Sequence, residues 1–115
     1  MEQSMKLVKE TFESSTGRTP QYLKFHRTFK RELKKLLAPH VTRIEVSKPN
    51  HFDVKGFFEL NNGTIYYFSI SDLRWFKETM LIRTAEHFKD WTGGMNQSII
   101  LDDCFEDRLL RFIAA

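Results

Sequence analysis

Residues 19–38 constrain the fold more than any other part of the chain, because they carry one continuous apolar stripe. Apolar side chains recur there at steps of three and four residues, the spacing of one face of a helix. The stripe consists of Tyr22, Phe25, Phe29, Leu33, Leu36 and Leu37. Thr19 supplies an N-cap before Pro20 at the first helical position, and Ala38-Pro39 ends the helix. Such a helix needs a second element against which to bury its stripe.

After Pro39 the chain changes from helical spacing to the alternation that is typical of β-strands. Residues 41–46 alternate apolar and polar side chains, and residues 51–60 and 64–71 have the composition of two further strands. Asn62-Gly63, between those two, is the strongest short hairpin signal. The sequence therefore predicts an antiparallel sheet built around a β-hairpin.

The register of this hairpin depends on the length of its loop. A two-residue loop at Asn62-Gly63 places Leu60 opposite Ile65 and Phe58 opposite Tyr67. A one-residue slip would exchange the faces. The second face of the hairpin mixes charged and large apolar groups, and we expect side chains of the basic helix to shield part of it.

The second half of the chain is harder to assign, because residues 79–92 fit both a helix and a strand. A strand over residues 79–84 is favoured, since it would extend the sheet, with a polar loop following through Gly93-Gly94. Residues 97–101 predict a short edge strand. Asp102-Asp103 begins a final helix, whose acidic first turn suits the positive end of the helix dipole.

The 115 residues suit a single domain, 1–115, with 11 Phe to supply one core. Residues 3–14 predict a short additional helix. The expected class is therefore α+β, with N-terminal helices packed on a small antiparallel sheet and a C-terminal helix. Cys104 is the only cysteine, which excludes an intrachain disulfide and a multi-cysteine zinc site. No apolar run approaches the ~20 residues of a membrane span, so we expect a cytoplasmic protein.

Charge is distributed unevenly along the chain. Residues 1–48 contain 11 Lys and Arg against 5 Asp and Glu, whereas residues 49–115 contain 7 against 10. The cations of the first half lie mainly on the arc of the helix opposite its apolar stripe. They are Lys24, Arg27, Lys30, Arg31, Lys34 and Lys35. Such an arc is typical either of phosphate binding or of a face that is simply solvated. Arg27, Arg31, Lys34 and Lys35 are the candidate phosphate contacts.

A second candidate region is the polar segment 83–96, with Trp91 and the pair Gly93-Gly94. Two glycines allow a backbone to approach a ligand closely, and a tryptophan can stack on a base or anchor a protein interface. The alternative is an ordinary long loop pinned by its aromatic side chains. The candidate contacts of this segment are Arg83, Lys89 and Trp91, and Arg74 is a further candidate before it.

A weaker candidate is a carboxylate set. Glu45, Asp53 and Lys55 together give an acid followed by acid-x-Lys, a pattern used by metal-dependent nucleases. The alternative is ion pairing across strands among Asp53, Lys55, Asp72 and Arg74. The spacing of the four histidines matches no zinc motif, and His26 on the apolar stripe is expected to be a hydrogen-bonded core residue. No cofactor is expected.

Three stretches resemble short uncharacterised proteins of bacterial phages and conjugative elements. The stretches are residues 66–75, 81–85 and 89–94, within a region of similarity over residues 52–96. The resemblance implies a setting in mobile DNA and assigns no activity. Small proteins in that setting often bind DNA or inhibit a host defence protein.

The function predicted from the sequence is that of a non-enzymatic accessory protein that binds nucleic acid or a nucleoprotein. The basic helix face and the polar loop would make the contacts. One alternative is a protein-binding inhibitor or adaptor that acts on a host protein through the region of Trp75 and Trp91. Another is the nuclease suggested by the carboxylates. The sequence gives no indication of the oligomeric state.

Overall fold

A computed structural model describes residues 19–50, 52–71, 79–102 and 104–114 of the protein. It confirms the α+β class. The described elements are α1 (Thr19–Leu37), β1 (Val41–Val46), β2 (Val54–Leu60), β3 (Ile65–Ile70), β4 (Thr79–Ala85), β5 (Gln97–Ile100) and α2 (Phe105–Ala114). The strands form one antiparallel sheet in the order β1-β2-β3-β4-β5. The helix expected at residues 3–14 lies outside the described residues.

The helix α1 lies where the apolar stripe predicted it. All six stripe residues are buried, and they pack on Val54, Phe58 and Phe68 of the sheet. The helix ends at Leu37, whose carbonyl accepts a hydrogen bond of 2.8 Å from the amide of His40. Lys34 and Lys35 occupy the last turn, where cations interact favourably with the helix dipole.

The predicted register of the hairpin is wrong by one residue. The loop holds three residues, because the Leu60 amide donates to the Thr64 carbonyl at 2.8 Å. Gly63 closes the loop at a φ of 92°, a left-handed conformation that glycine adopts without strain. The side chain of Asn62 supports the turn by accepting a hydrogen bond from the Thr64 amide at 2.9 Å. Three-residue loops of this kind compete with the two-residue loop that Asn-Gly also favours.

The shift changes which residues of β3 enter the core. Phe58 lies opposite Tyr66, and Gly56 lies opposite Phe68. Phe68 and Ile70 are buried as a result, whereas Tyr67 and Ser69 face the other side of the sheet and are only half-buried. Burial of Phe68 and Ile70 in place of Tyr67 and Ser69 favours the observed register by removing more apolar surface from water.

Of the ambiguous residues 79–92, residues 79–85 form a strand, which confirms the strand favoured over residues 79–84. β4 pairs with β3, placing Ile82 opposite Phe68, and β5 adds the predicted edge strand. Met80 and Ile82 point to the same side as α1 and are buried. Helix α2 packs there too, with Phe105 and Leu109 in the same core. One face of the sheet is thus covered by both helices.

The other face, named here the open face, is not shielded by α1, so that expectation is wrong. Both helices lie on the opposite side because their stripes need the continuous apolar face of the sheet. The open face is instead partly covered by residues 86–96, whose rings Phe88 and Trp91 contact Phe57 of β2.

Candidate functional site

The cations of α1 form one outward surface, named here the basic face. Five of the six basic side chains are exposed, and Lys30 is half-buried. The exposed ones are Lys24, Arg27, Arg31, Lys34 and Lys35. At a rise of 1.5 Å per residue, the distance along the helix from Lys24 to Lys35 is about 16 Å. The basic face is therefore long enough to reach several phosphates of one strand.

Glu32 is the one acid within α1, and it neutralises only part of the basic face. Its side chain is mostly buried, with 8 % of the residue exposed. Its carboxylate lies 3.3 Å from Arg31 Nε and 3.9 Å from Lys35 Nζ. Arg27 and Lys34 form no ion pair with another described residue, so their charges are available to a ligand.

The basic face is held rigidly, because α1 is tied to the turn between β1 and β2. The hydroxyl of Tyr22 donates to the Asp53 carbonyl at 2.7 Å and accepts from the Asn50 amide at 2.8 Å. His26 lies 3.0 Å, through Nε2, from the Ser47 carbonyl, which confirms its role as a hydrogen-bonded core histidine. Burial raises the pKa of Tyr22 and lowers the pKa of His26.

The open face carries a group of four aromatic rings in which Phe57 contacts the other three, named here the aromatic cluster. They are Phe57, Tyr67, Phe88 and Trp91. The centre of the Phe57 ring lies 5.2 Å from those of Tyr67 and Trp91 and 5.7 Å from that of Phe88. Phe57 is buried beneath the others, whereas Trp91 remains 48 % exposed. The cluster thus has a packed base and an accessible outer ring.

Three cations stack on the aromatic cluster. The guanidinium carbon of Arg43 lies 4.0 Å from the centre of the Phe88 ring, and that of Arg83 lies 4.6 Å from the centre of the Tyr67 ring. Lys55 Nζ lies 5.5 Å from the centre of the Trp91 ring. Attraction between a cation and the negative face of a ring stabilises such pairs.

Arg83 also fastens the loop that carries Trp91. Its guanidinium donates to the Asn96 side chain at 3.1 Å and to the Trp91 carbonyl. The Nε atom of Arg83 is buried without a hydrogen-bond partner among the described residues. Two of its donor groups are thus engaged within the protein. The structure therefore gives Arg83 a positioning role for the loop, beside the ligand contact predicted from the sequence.

Asp90 and the pair Gly93-Gly94 also hold the loop in place. The Asp90 carboxylate accepts hydrogen bonds from the Glu86 amide, at 2.9 Å, and from the Thr92 amide, at 3.1 Å. These hydrogen bonds lower the pKa of Asp90. A Cβ added at Gly93 would lie 2.1 Å from the Thr84 carbonyl oxygen. The absence of a side chain there lets the loop pack on β4.

A polar cleft of about 430 Å³ lies beside this loop and is lined by residues 84–86, 90 and 92–94. Both oxygens of the Asp90 carboxylate already accept hydrogen bonds from the loop itself. The other polar side chains that line the cleft are those of Thr84, Glu86 and Thr92.

The structure does not bring the carboxylate set together. Glu45 lies opposite Phe57 and forms an ion pair with Arg43. Asp53 lies four residues before Phe57, about 13 Å away along the strand at 3.3 Å per residue, and its carboxylate is 3.9 Å from Lys55 Nζ. In the described ranges, no three His, Cys, Asp or Glu side chains form a group that could hold a metal ion.

The sequence-predicted contacts divide between two surfaces. Arg27, Arg31, Lys34 and Lys35 lie on the basic face, whereas Arg83, Lys89 and Trp91 lie on or beside the open face. The sheet separates the two sets. Arg74, Asp72 and Trp75 lie outside the described residues.

Arg43, Phe57, Tyr67 and Phe88 were not predicted as site residues. The sequence does contain a signal for the aromatic residues, namely the alternation of large apolar residues on the second face of the hairpin. The incorrect register hid this signal because it placed residues of β3 on the wrong face.

Comparison with protein-family models finds no match, nor does comparison with curated proteins or with solved structures. The resemblance to proteins of mobile elements therefore stays a prediction. Neither described helix combines the length and the apolarity needed to cross a bilayer.

Proposed function

We propose that this protein binds nucleic acid without enzymatic action, through contacts between backbone phosphates and the basic face of α1. The observation that carries the proposal is the exposure of Arg27 and Lys34, which no described acid neutralises. Arg31 and Lys35 add two further charges that Glu32 only partly offsets. Cations at this density replace counterions on a phosphate backbone, which makes the binding favourable and sensitive to salt.

The proposed contacts read charge and shape more than sequence. Side chains that identify bases by paired hydrogen bonds need fixed planar donors or acceptors in a groove. The basic face supplies flexible lysines and exposed arginines, which suit phosphates better. The setting proposed from the resemblance, mobile DNA, would provide such a ligand.

A titration of labelled DNA and RNA across salt concentrations tests the proposal. If four cations contact phosphates, the logarithm of the association constant should fall with that of salt with a slope of about −3 to −4. The double variant Arg27→Ala with Lys34→Ala should reduce this slope by about 2.

The matched control is Arg108→Ala with Arg111→Ala, which removes two charges from α2. Both control arginines form ion pairs, with Asp102 and Asp107 respectively. The control should leave the slope within about 0.5 of the wild-type value. Equal effects of the two double variants, or no binding to any nucleic acid at low salt, would refute the proposal.

A second candidate, a protein-binding inhibitor or adaptor, is favoured by a different observation. Met95 is 84 % exposed and Ile100 is 46 % exposed, both near the open face, and exposed apolar residues of this size are common at protein interfaces. A partner that co-purifies and survives high salt would support this function over phosphate binding. A nuclease is not proposed, because Glu45 and Asp53 lie apart.

A further inference from the structure

Trp91, the outer ring of the aromatic cluster, is only partly covered by contacts within the protein. Trp91 packs its ring against Phe57 and Tyr67, yet 48 % of the residue remains exposed. A tryptophan gains more from burial than almost any other side chain, so a half-exposed ring on a folded surface leaves stabilisation available to a ligand. A flat ring of this size can stack on a nucleobase.

This ring is held in place before any ligand arrives. Arg83 donates to the Trp91 carbonyl, and the Thr92 amide donates to Asp90. The amide of Gly94 donates to the Thr84 carbonyl at 2.8 Å, which ties the following turn to β4. A ligand that stacks on Trp91 therefore does not have to order the loop, and binding loses little conformational entropy.

Two lysines lie near the Trp91 ring, one in space and one in sequence. Lys55 Nζ lies 5.5 Å from the centre of the Trp91 ring, and the exposed Lys89 lies two residues before Trp91. Two acids near these cations are engaged within the protein. Asp53 lies 3.9 Å from Lys55, a long ion pair, and the Asp90 carboxylate accepts hydrogen bonds from the loop. Asp53 therefore offsets part of the charge of Lys55, whereas the exposed Lys89 presents positive charge to an anion beside the ring.

We propose that Trp91 stacks on an unpaired base of a single-stranded nucleic acid, while Lys55 and Lys89 contact the phosphates on either side of that base. Bases of a duplex are stacked on one another and cannot reach the ring, so this site selects single strands. This proposal takes its class of ligand, nucleic acid, from the function proposed above. It uses a separate surface, since α1 lies on the opposite side of the sheet.

The test is a titration of wild-type protein and the Trp91→Leu variant with an oligothymidylate of about 12 nucleotides, a length in the range of single-strand sites, and with a duplex of the same length. We expect Trp91→Leu to weaken single-strand binding by about ten- to a hundredfold, because a stacked base contributes that much to affinity. Duplex binding should change by less than about twofold. Met95→Leu, in the same loop, is the matched control and should change neither.

Two further measurements keep the test decisive if Trp91→Leu folds poorly. Trp91→Phe retains a smaller ring and should lose less affinity than Trp91→Leu. Stacking should also quench the fluorescence of the wild-type protein, and the quenching should disappear in Trp91→Phe. Absence of quenching, or equal losses of single-strand and duplex affinity, would overturn the proposal. So would a Trp91→Leu variant that loses a protein partner and keeps single-strand binding.

The two proposals can be refuted independently of each other. If Arg27→Ala with Lys34→Ala leaves all affinities unchanged while Trp91→Leu weakens single-strand binding, only the role of the basic face is refuted. If the double variant weakens both ligands and Trp91→Leu weakens neither, only the stacking site is refuted.

Discussion

The hydroxyl of Tyr22 in α1 donates a hydrogen bond of 2.7 Å to the carbonyl oxygen of Asp53, at the entry to β2. The hydroxyl oxygen of Tyr22 in turn accepts a hydrogen bond from the Asn50 amide, so this one side chain connects the helix to both sides of a turn. The turn contains Phe52 at a φ of 60°, an unfavourable conformation for a bulky residue. The contact from Tyr22 stabilises that backbone and fixes the angle at which α1 crosses the sheet.

Tyr22→Phe should therefore destabilise the protein by about 1–3 kcal/mol, since it removes the partner of a backbone amide and a carbonyl while keeping the ring. Urea unfolding followed by circular dichroism measures the change. Tyr66→Phe is the control, because Tyr66 is only half-buried. Equal stabilities for Tyr22→Phe and Tyr66→Phe would contradict this account of the turn.

Stability should fall as the pH drops below the ordinary histidine pKa of 6.5. Burial, with a smaller contribution from the charge of Lys30, lowers the pKa of His26 in the folded state. The unfolded chain then binds more protons than the folded one, so stability is lost between the unfolded pKa and the lower folded pKa. His26→Gln should flatten this part of the pH profile, whereas His87→Gln, an exposed position, should not. An unchanged profile in His26→Gln would show that another group is responsible.

Arg83→Lys should loosen the loop at residues 86–96 even though it preserves the charge. A lysine has no planar fork with which to bind Asn96 and the Trp91 carbonyl together. We expect trypsin to cleave after Lys89 several-fold faster in this variant, as measured by mass spectrometry of early fragments, because cleavage requires local opening. Arg111→Lys is the control. Cleavage at the wild-type rate would mean that Asp90 and the glycine pair suffice to hold the loop.

Glu32→Gln should strengthen nucleic-acid binding at low salt by several-fold. The substitution preserves the shape of a nearly buried side chain and frees the charges of Arg31 and Lys35. Glu59→Gln removes the same charge from the open face and is the matched control for titration with a duplex. A gain in affinity of similar size in both variants would indicate a general effect of net charge, not a contact at α1.

The elements that the sequence predicted best are those with a long, regular pattern. The stripe from Tyr22 to Leu37 repeats often enough to determine both the limits of α1 and its buried face. The strand predicted over residues 79–84 is also confirmed, because Met80 and Ile82 alternate with residues that face the other side.

Predictions that depended on one loop or on distant contacts were less successful. The three-residue loop closed by Gly63 and the two-residue loop have the same local sequence, and only burial of Phe68 and Ile70 decides between them. The packing of residues 86–96 on the open face depends on two simultaneous contacts of Arg83, one with the Tyr67 ring and one with the Trp91 carbonyl. No periodic pattern encodes such a contact, so the aromatic cluster was only partly predicted, through Trp91 and Arg83.

The order of the sheet, in which every strand lies beside its neighbours in sequence, has a consequence for folding. Each pairing can form as soon as the next strand follows, so the sheet can grow one hairpin at a time from contacts of short sequence separation, which favours rapid folding. Helix α1 precedes all five strands in the sequence. It can therefore bury its apolar stripe only after the sheet has formed. During synthesis its apolar stripe leaves the ribosome before the strands that cover it, and the charges on its other side would keep it apart from other nascent chains.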